Sequence, residues 1–203
     1  MTRLQRDFYA TDALSLAREL LGKLIIRMVD GSRLAAMIVE TEAYIGVDDK
    51  AAHFYAGRRT PRTEVVYGES GFAYVFFVYG MHCCFNVVAG ARDDPQAVLI
   101  RAAEPVSGLE RMALNRYGAP LASLDEKKIL GLSNGPGKLC EALGIDRSFN
   151  GIDLCGDELF LMDQGCADFE IVSSKRIGID YAEEARDYPW RLHIKGNRYV
   201  SAR

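Results

Sequence analysis

No stretch of this chain approaches the roughly 20 consecutive apolar residues of a membrane-spanning helix, which excludes a transmembrane anchor of the helical kind. The five cysteines, Cys83, Cys84, Cys140, Cys155 and Cys166, include no Cys-x-x-Cys pair. An odd number without that spacing speaks against a zinc site or a disulfide framework and for reduced, mostly buried thiols. There is no His-Glu-x-x-His, no Gly-x-Ser-x-Gly and no Gly-x-Gly-x-x-Gly. Zinc hydrolysis, serine acylation and dinucleotide binding therefore lack their parts, and no metal or cofactor is expected. Strong charge of one sign is also missing. Against 25 Lys and Arg stand 28 Asp and Glu, a net charge of −3, so any nucleic-acid role has to rest on a local patch. The first residues, Met1-Thr2-Arg3-Leu4, lead into no signal-peptide core, and the expectation is a cytoplasmic protein that is not secreted.

What is present is an ordinary globular composition, 49% hydrophobic and 26% charged, with no internal repeat or linker. Residues 1–203 read as a single domain. Thr11 or Asp12 caps a helix whose apolar residues Ala13, Leu14, Ala17, Leu20 and Leu21 share one stripe, with Gly22 as its stop. Asp30-Gly31 joins strands 23–29 and 33–44 in a hairpin. Residues 45–69 form a long loop with one helical turn near Lys50–His53 and a basic cluster of Arg58, Arg59 and Arg62; loops of this length are usually functional or mobile. Two β-rich runs, 72–78 and 82–88, flank Tyr79-Gly80-Met81 as a second hairpin, and 97–103 is a further strand interrupted by Arg101. Ser107-Gly108-Leu109-Glu110 has the form of a capping box for a helix ending at Gly118. Asn134-Gly135-Pro136-Gly137-Lys138 turns into a short helix over residues 138–143, whose free amides, with Lys138 beside them, suit a phosphate, although a plain turn explains the same residues. Candidate strands at 159–162, 171–174, 192–194 and 199–201 complete an α+β fold. The expected architecture is a mostly antiparallel, curved sheet flanked by helices, with a protruding hairpin.

The chemistry gathers at Val39-Glu40-Thr41-Glu42-Ala43-Tyr44. From Leu34 to Val39 both side-chain parities are apolar, as in a strand covered on both faces. Continued alternation places Glu40, Glu42 and Tyr44 on the face that Ile38 occupies. An unpaired carboxylate there is costly to bury and needs a cation, hydrogen bonds or a chemical task; an acid pair at a solvated rim fits the same residues. Arg101 is equally an edge residue reaching water or a buried cation awaiting an anion. His53 by itself is compatible with simple packing. Glu42, Arg101 and the aromatics Tyr44, His53, Phe76 and Tyr79 together would make a pocket with one base, one cation and flat walls. An acid pair of Glu40 and Glu42 for glycoside hydrolysis is disfavoured, because residues two apart on one strand face leave no room for substrate between them.

These residues stand in an order that resembles the alkyladenine (3-methyladenine, methylpurine) DNA glycosylase family. The likeness lies in Glu-Thr-Glu-Ala-Tyr at 40–44, Ala-Ala-His at 51–53, Arg-x-Thr-Pro-Arg at 58–62, Tyr-Val-x-x-x-Tyr-Gly-Met at 74–81 with Asn86, Leu-Ile-Arg-Ala-x-Glu-Pro at 99–105 and Gly-Pro-Gly-Lys-Leu-Cys at 135–140. It runs from about Ala17 to Val200. The resemblance implies a monofunctional enzyme that flips out alkylated or deaminated purines of the 3-methyladenine, hypoxanthine and ethenoadenine class. It would hydrolyse the N-glycosidic bond without a metal and leave an abasic site. It gives Glu42 the role of base for the attacking water, held with the help of Arg101 and the main-chain carbonyl of Ile177. Tyr44, His53 and Phe76 become stacking walls, Phe76 standing where better-studied members have tyrosine. Asn86 excludes guanine through its two-amino group, and Tyr79 is the wedge that enters the minor groove. Met81, Arg58, Arg62, Lys138 and Arg176 complete the expected contacts to double-stranded DNA, made by a monomer. His82 is a second departure from the family's tyrosine. A module on the same fold that recognises lesions without turnover is the alternative reading.

Overall fold

The computed structural model describes residues 1–78, 80–165 and 168–201. Nine strands, β1 (Thr2–Arg3), β2 (Leu24–Val29), β3 (Ser32–Ile45), β4 (Ala73–Val78), β5 (His82–Ala89), β6 (Gln96–Ser107), β7 (Leu159–Asp163), β8 (Ile171–Ser174) and β9 (Arg191–Ile194), build one sheet. Its order is β1-β7-β2-β3-β6-β5-β4, every pairing is antiparallel, and β9 joins the far end of β3 on the edge that β2 uses nearer the start, carrying β8 with it. The helices are α1 (Arg6–Tyr9), α2 (Ala13–Glu19), α3 (Leu109–Tyr117), α4 (Glu126–Leu130) and α5 (Pro136–Leu143). The α+β architecture expected from the sequence is present.

Local chemistry explains the elements that position the site. Asp12 accepts hydrogen bonds from the Leu14 and Ser15 amides and so caps α2. Asp30 and Gly31 both have positive φ, as a two-residue turn of the primed type demands, and this fixes the β2–β3 register. Helices α2, α3 and α5 bury Leu16, Leu20, Met112, Leu139 and Leu143 against one face of the sheet, meeting Phe85, Val87, Val98 and Ile100. The opposite face of β3, β6, β5 and β4 is covered by the segment after β3 rather than by α-helices. There Phe54, Val66 and Tyr67 pack on Tyr74, Val88 and Ala97.

Several expectations need correction. The Glu40, Glu42 and Tyr44 side chains do not share a face with Ile38. The β3–β6 register slips three times: Val106 is extra on β6 opposite Ala35 and Ala36, and then Val39 on β3 and Arg101 on β6 are extra in quick succession around Glu40. The last two bulges reverse the phase of both strands. Before them Leu34, Ala36 and Ile38 belong to the helix-side core; after them Ala43 does, and the Thr41 hydroxyl donates to the Ala17 carbonyl of α2. The expected capping box at Ser107 does not form. Gly108, at φ +79°, precedes α3 with no side-chain cap, and Glu110 accepts instead from the Leu121 amide at 3.1 Å. The loop after β3 has its helical turns at Tyr55–Gly57 and Glu64–Tyr67 rather than at 50–53, and it is packed, with Ala51, Phe54 and Val66 buried. Residues 199–201 are not a strand. Elements α1, α4 and β1 carry no strong sequence signal and were not expected.

Candidate active site

The bulges aim two rows of side chains at the loop-covered face, Glu40, Glu42 and Tyr44 from β3 and Ala97, Leu99 and Arg101 from β6. Beside them β5 contributes Cys84 and Asn86, and β4 contributes Tyr74 and Phe76. All of these except Glu40 and Glu42, which lie behind the wall, join His53, Arg62, Ile177 and Ile179 from the covering segments in lining a cavity of about 550 Å³. That volume lies in the range of small-molecule sites.

Glu42 is fully buried one hydrogen bond behind the cavity wall. Its Oε1 accepts the Ile177 N–H at 2.8 Å and lies 3.2 Å from Arg101 Nη1, while its Oε2 accepts the Tyr44 hydroxyl at 2.9 Å. Burial pushes the Glu42 carboxyl above its ordinary range, and Arg101, the Ile177 amide and Tyr44 offset only part of that push. A carboxyl whose affinity for a proton is raised in this way is suited to act as a base. Burial and the Glu42 charge hold the Tyr44 hydroxyl well above its usual range, so it remains a donor. The structure puts the amide N–H of Ile177 on Glu42, a contact that the resemblance did not include.

The aromatic walls are not parallel plates. His53 and Phe76 meet edge to face, with centroids 4.5 Å apart at 79°, and Phe76 tilts against Tyr74 at 5.0 Å and 41°. His53 Nδ1 is 2.9 Å from the Tyr74 hydroxyl and Nε2 is 3.1 Å from Arg62 Nη2. Burial, then Arg62 and Arg58, push the imidazole down to about 4, so it is neutral near pH 7. Asn86 spends its amide nitrogen on the carbonyls of Tyr74 at 3.0 Å and Cys84 at 3.4 Å, which holds it rigid at the cavity wall.

Of the residues expected to meet DNA, Arg58 and Arg62 are exposed beside the cavity, Met81 is exposed at the hairpin tip, and Lys138 is exposed on α5 with its ammonium on Asn134. Tyr79 lies outside the described residues. Arg176 is a correction. It is buried, pairs with both carboxylate oxygens of Asp49 at 2.5 and 2.8 Å, donates to the Ala43 and Ala185 carbonyls, and lies between the Tyr44 and Trp190 rings. It braces the Tyr44 wall and is not available to a phosphate.

Arg147 and Phe77 were missed. The guanidinium stands 5.5 Å over the half-exposed Phe77 ring, and the two line a groove with Arg62 on the outer side of β4. A lone arginine in a turn gives no pattern to read. Among the described residues no three His, Cys, Asp or Glu side chains gather to hold a metal ion.

The arrangement sets a buried carboxylate behind the wall of an aromatic cavity, a shape that suits a planar ring. The class is narrowed by comparison with known proteins. The family model of methylpurine-DNA glycosylase matches residues 7–198, and the chain belongs to that family. A protein of Desulfitobacterium hafniense is 57% identical over 203 residues, covering all of both chains. Proteins of Clostridium novyi and Clostridium acetobutylicum are 50% and 51% identical, covering 99% of both chains in the first case and 98% of this chain and 97% of the relative in the second. All three are assigned, by name only, as 3-methyladenine DNA glycosylases.

Proposed function

We propose that this protein is a monofunctional DNA glycosylase that excises alkylated purines, 3-methyladenine among them, together with hypoxanthine and ethenoadenine. The observation that carries this reading is Glu42, wholly buried and hydrogen-bonded, beside a cavity walled by Tyr44, His53 and Phe76. The glycosidic carbon cannot be reached inside a duplex. The nucleotide therefore swings out, at a cost of a few kcal/mol that is least for damaged or mispaired bases. Its purine stacks in the slot with the His53 amide at its six-position, and the rigid Asn86 crowds the two-amino group of guanine. Tyr79 takes the vacated place in the stack. A water that replaces the Tyr44 hydroxyl on Glu42, steadied by Arg101 and the Ile177 carbonyl, passes a proton to the carboxylate as its oxygen bonds to C1′. The C1′–N bond breaks and its electron pair leaves with the purine. A cationic purine then departs neutral, whereas hypoxanthine takes a proton at N7 from solvent.

Arg58, Arg62 and Arg147 line the openings beside this site, Lys138 lies on α5 two residues past the wall residue Pro136, and none of the four has a carboxylate partner among the described residues, which supports them as phosphate contacts. Every group invoked comes from one chain, so a monomer suffices, working on cytoplasmic DNA. The test is release of base from a duplex holding one hypoxanthine or 3-methyladenine, read by alkaline cleavage at abasic sites. Glu42→Gln is expected to lower the single-turnover rate by about 10²–10⁴-fold while lesion binding persists. Excision by that variant at the native rate would remove Glu42 as the base. Tight lesion binding without release by the native protein would leave recognition alone.

A further inference from the structure

Glu40 is as fully buried as Glu42 and points to the same side of β3, yet the reaction above does not use it. A buried carboxylate needs compensation on every side, and this one has it. Arg191 Nε on β9 donates to its Oε1 at 2.5 Å, the Ser201 main-chain N–H donates to Oε2 at 2.6 Å, and the Ser201 hydroxyl donates to Oε1 at 3.0 Å. Arg101 reaches both acids. Its Nε is 3.3 Å from Glu40 Oε1 and its Nη1 is 3.2 Å from Glu42 Oε1. The Nε makes no well-aligned hydrogen bond, so its link to Glu40 is one of charge. The other titratable neighbour is His193, the register partner of Glu40 on β9, which burial and Arg191 push toward its neutral form.

We propose that Glu40 is a positioning residue for the hydrolysis: anchored by Arg191 and Ser201, it holds the Arg101 guanidinium between two carboxylates and so sets how much positive charge the Glu42 base feels. The role rests on the hydrolytic reading above. A carboxylate paired wholly with an arginine is a weak base, and one buried with no cation is already protonated at working pH. Sharing one guanidinium between two acids places Glu42 between these limits. Because the groups are coupled, the pH at which activity falls belongs to the cluster and responds to every member of it.

The experiment is the pH profile of single-turnover excision, on variants shown to be folded by thermal unfolding. Glu40→Gln keeps the shape and an acceptor for the Ser201 N–H but removes the charge. Arg101 then belongs to Glu42, and the acid limb is expected to move about one unit lower, with a plateau several-fold below native. Arg191→Gln leaves Glu40 uncompensated, draws Arg101 away from Glu42, and is expected to move the limb upward. A Glu40 that serves only the fold would lower the amount of active protein equally at every pH and leave the limb in place. An unmoved limb in either folded variant, or a shift of the wrong sign, overturns the role. Should Glu40→Gln not fold, Arg191→Gln decides alone by the same criterion. Native protein that releases no base overturns the hydrolytic reading and this role with it, whereas native release with an unmoved limb overturns this role only.

Discussion

His53 is the residue whose protonation the structure defines most completely. An arginine only donates, so Nε2 facing Arg62 is the acceptor and Nδ1 carries the proton that the Tyr74 oxygen receives. The ordinary value is 6.5 and the folded value about 4. Between these the unfolded chain binds a proton that the folded one refuses. Stability from this group is therefore complete above pH 6.5 and is lost as pH falls toward 4. Denaturant midpoints for His53→Gln are expected to fall less steeply than native over that interval; identical slopes would refute the assignment. Asn86→Ser is expected to raise release of normal guanine by roughly 10–100-fold relative to hypoxanthine, and an unchanged ratio in a competition assay would deny Asn86 the filter. At this scale Glu42 and Tyr44 stood out because two acids and an aromatic close an apolar strand, whereas Arg101 by itself read equally as an edge residue or a buried cation. Arg176 was misread for a physical reason. Its neighbour Lys175 gives it the look of surface charge, while the Asp49 that buries it lies 127 residues away in sequence.

Element boundaries follow local chemistry, and phase does not. The Asp30-Gly31 hairpin, the Asp12 cap and the β4 and β5 strands were all readable, because turn residues and runs of aromatic and β-branched side chains are local signals. The bulges at Val39 and Arg101 were invisible, since apolar residues fill both parities of residues 34–39 and leave no phase to follow. The order of the loop after β3 was hidden as well, because its anchors, Phe54 and Val66, become a core only against Tyr74 and Val88. Gly108 offers a test of how tightly α3 is set on β3. A methyl there would lie 2.4 Å from Leu34 Cδ2 and 3.1 Å from Leu34 Cα at φ +79°, whereas Gly118 at φ +61° faces open space. Gly108→Ala is expected to cost about 2–3 kcal/mol and Gly118→Ala about 1 kcal/mol by urea unfolding. Equal costs would contradict the close approach.

For the molecule as a whole the question is how a chain of net charge −3 holds a polyanion. Most of its cations are neutralised where they stand, Arg59 by Glu64 and Asp93, Lys50 by Glu183 and Glu184, Lys195 by Glu170. Among the described residues, Arg58, Arg62 and Arg147 beside the cavity, and Lys138 on α5, are left without acids. Composition gave the total and could not give this distribution. Duplex affinity is expected to fall linearly in log–log form with salt, and Arg62→Ala or Arg147→Ala should each reduce the slope by about 0.9. Fluorescence anisotropy between 50 and 200 mM salt, a range of about fourfold, is enough to see it. A slope unchanged in both variants would move the contact face elsewhere. This arrangement also fixes how the protein finds its substrate. At physiological ionic strength a small cationic rim on an otherwise acidic body fades within about 8 Å, so no long-range field guides the approach. Encounter is left to unassisted diffusion, on the order of 10⁵–10⁶ M⁻¹s⁻¹, and grip begins only on contact.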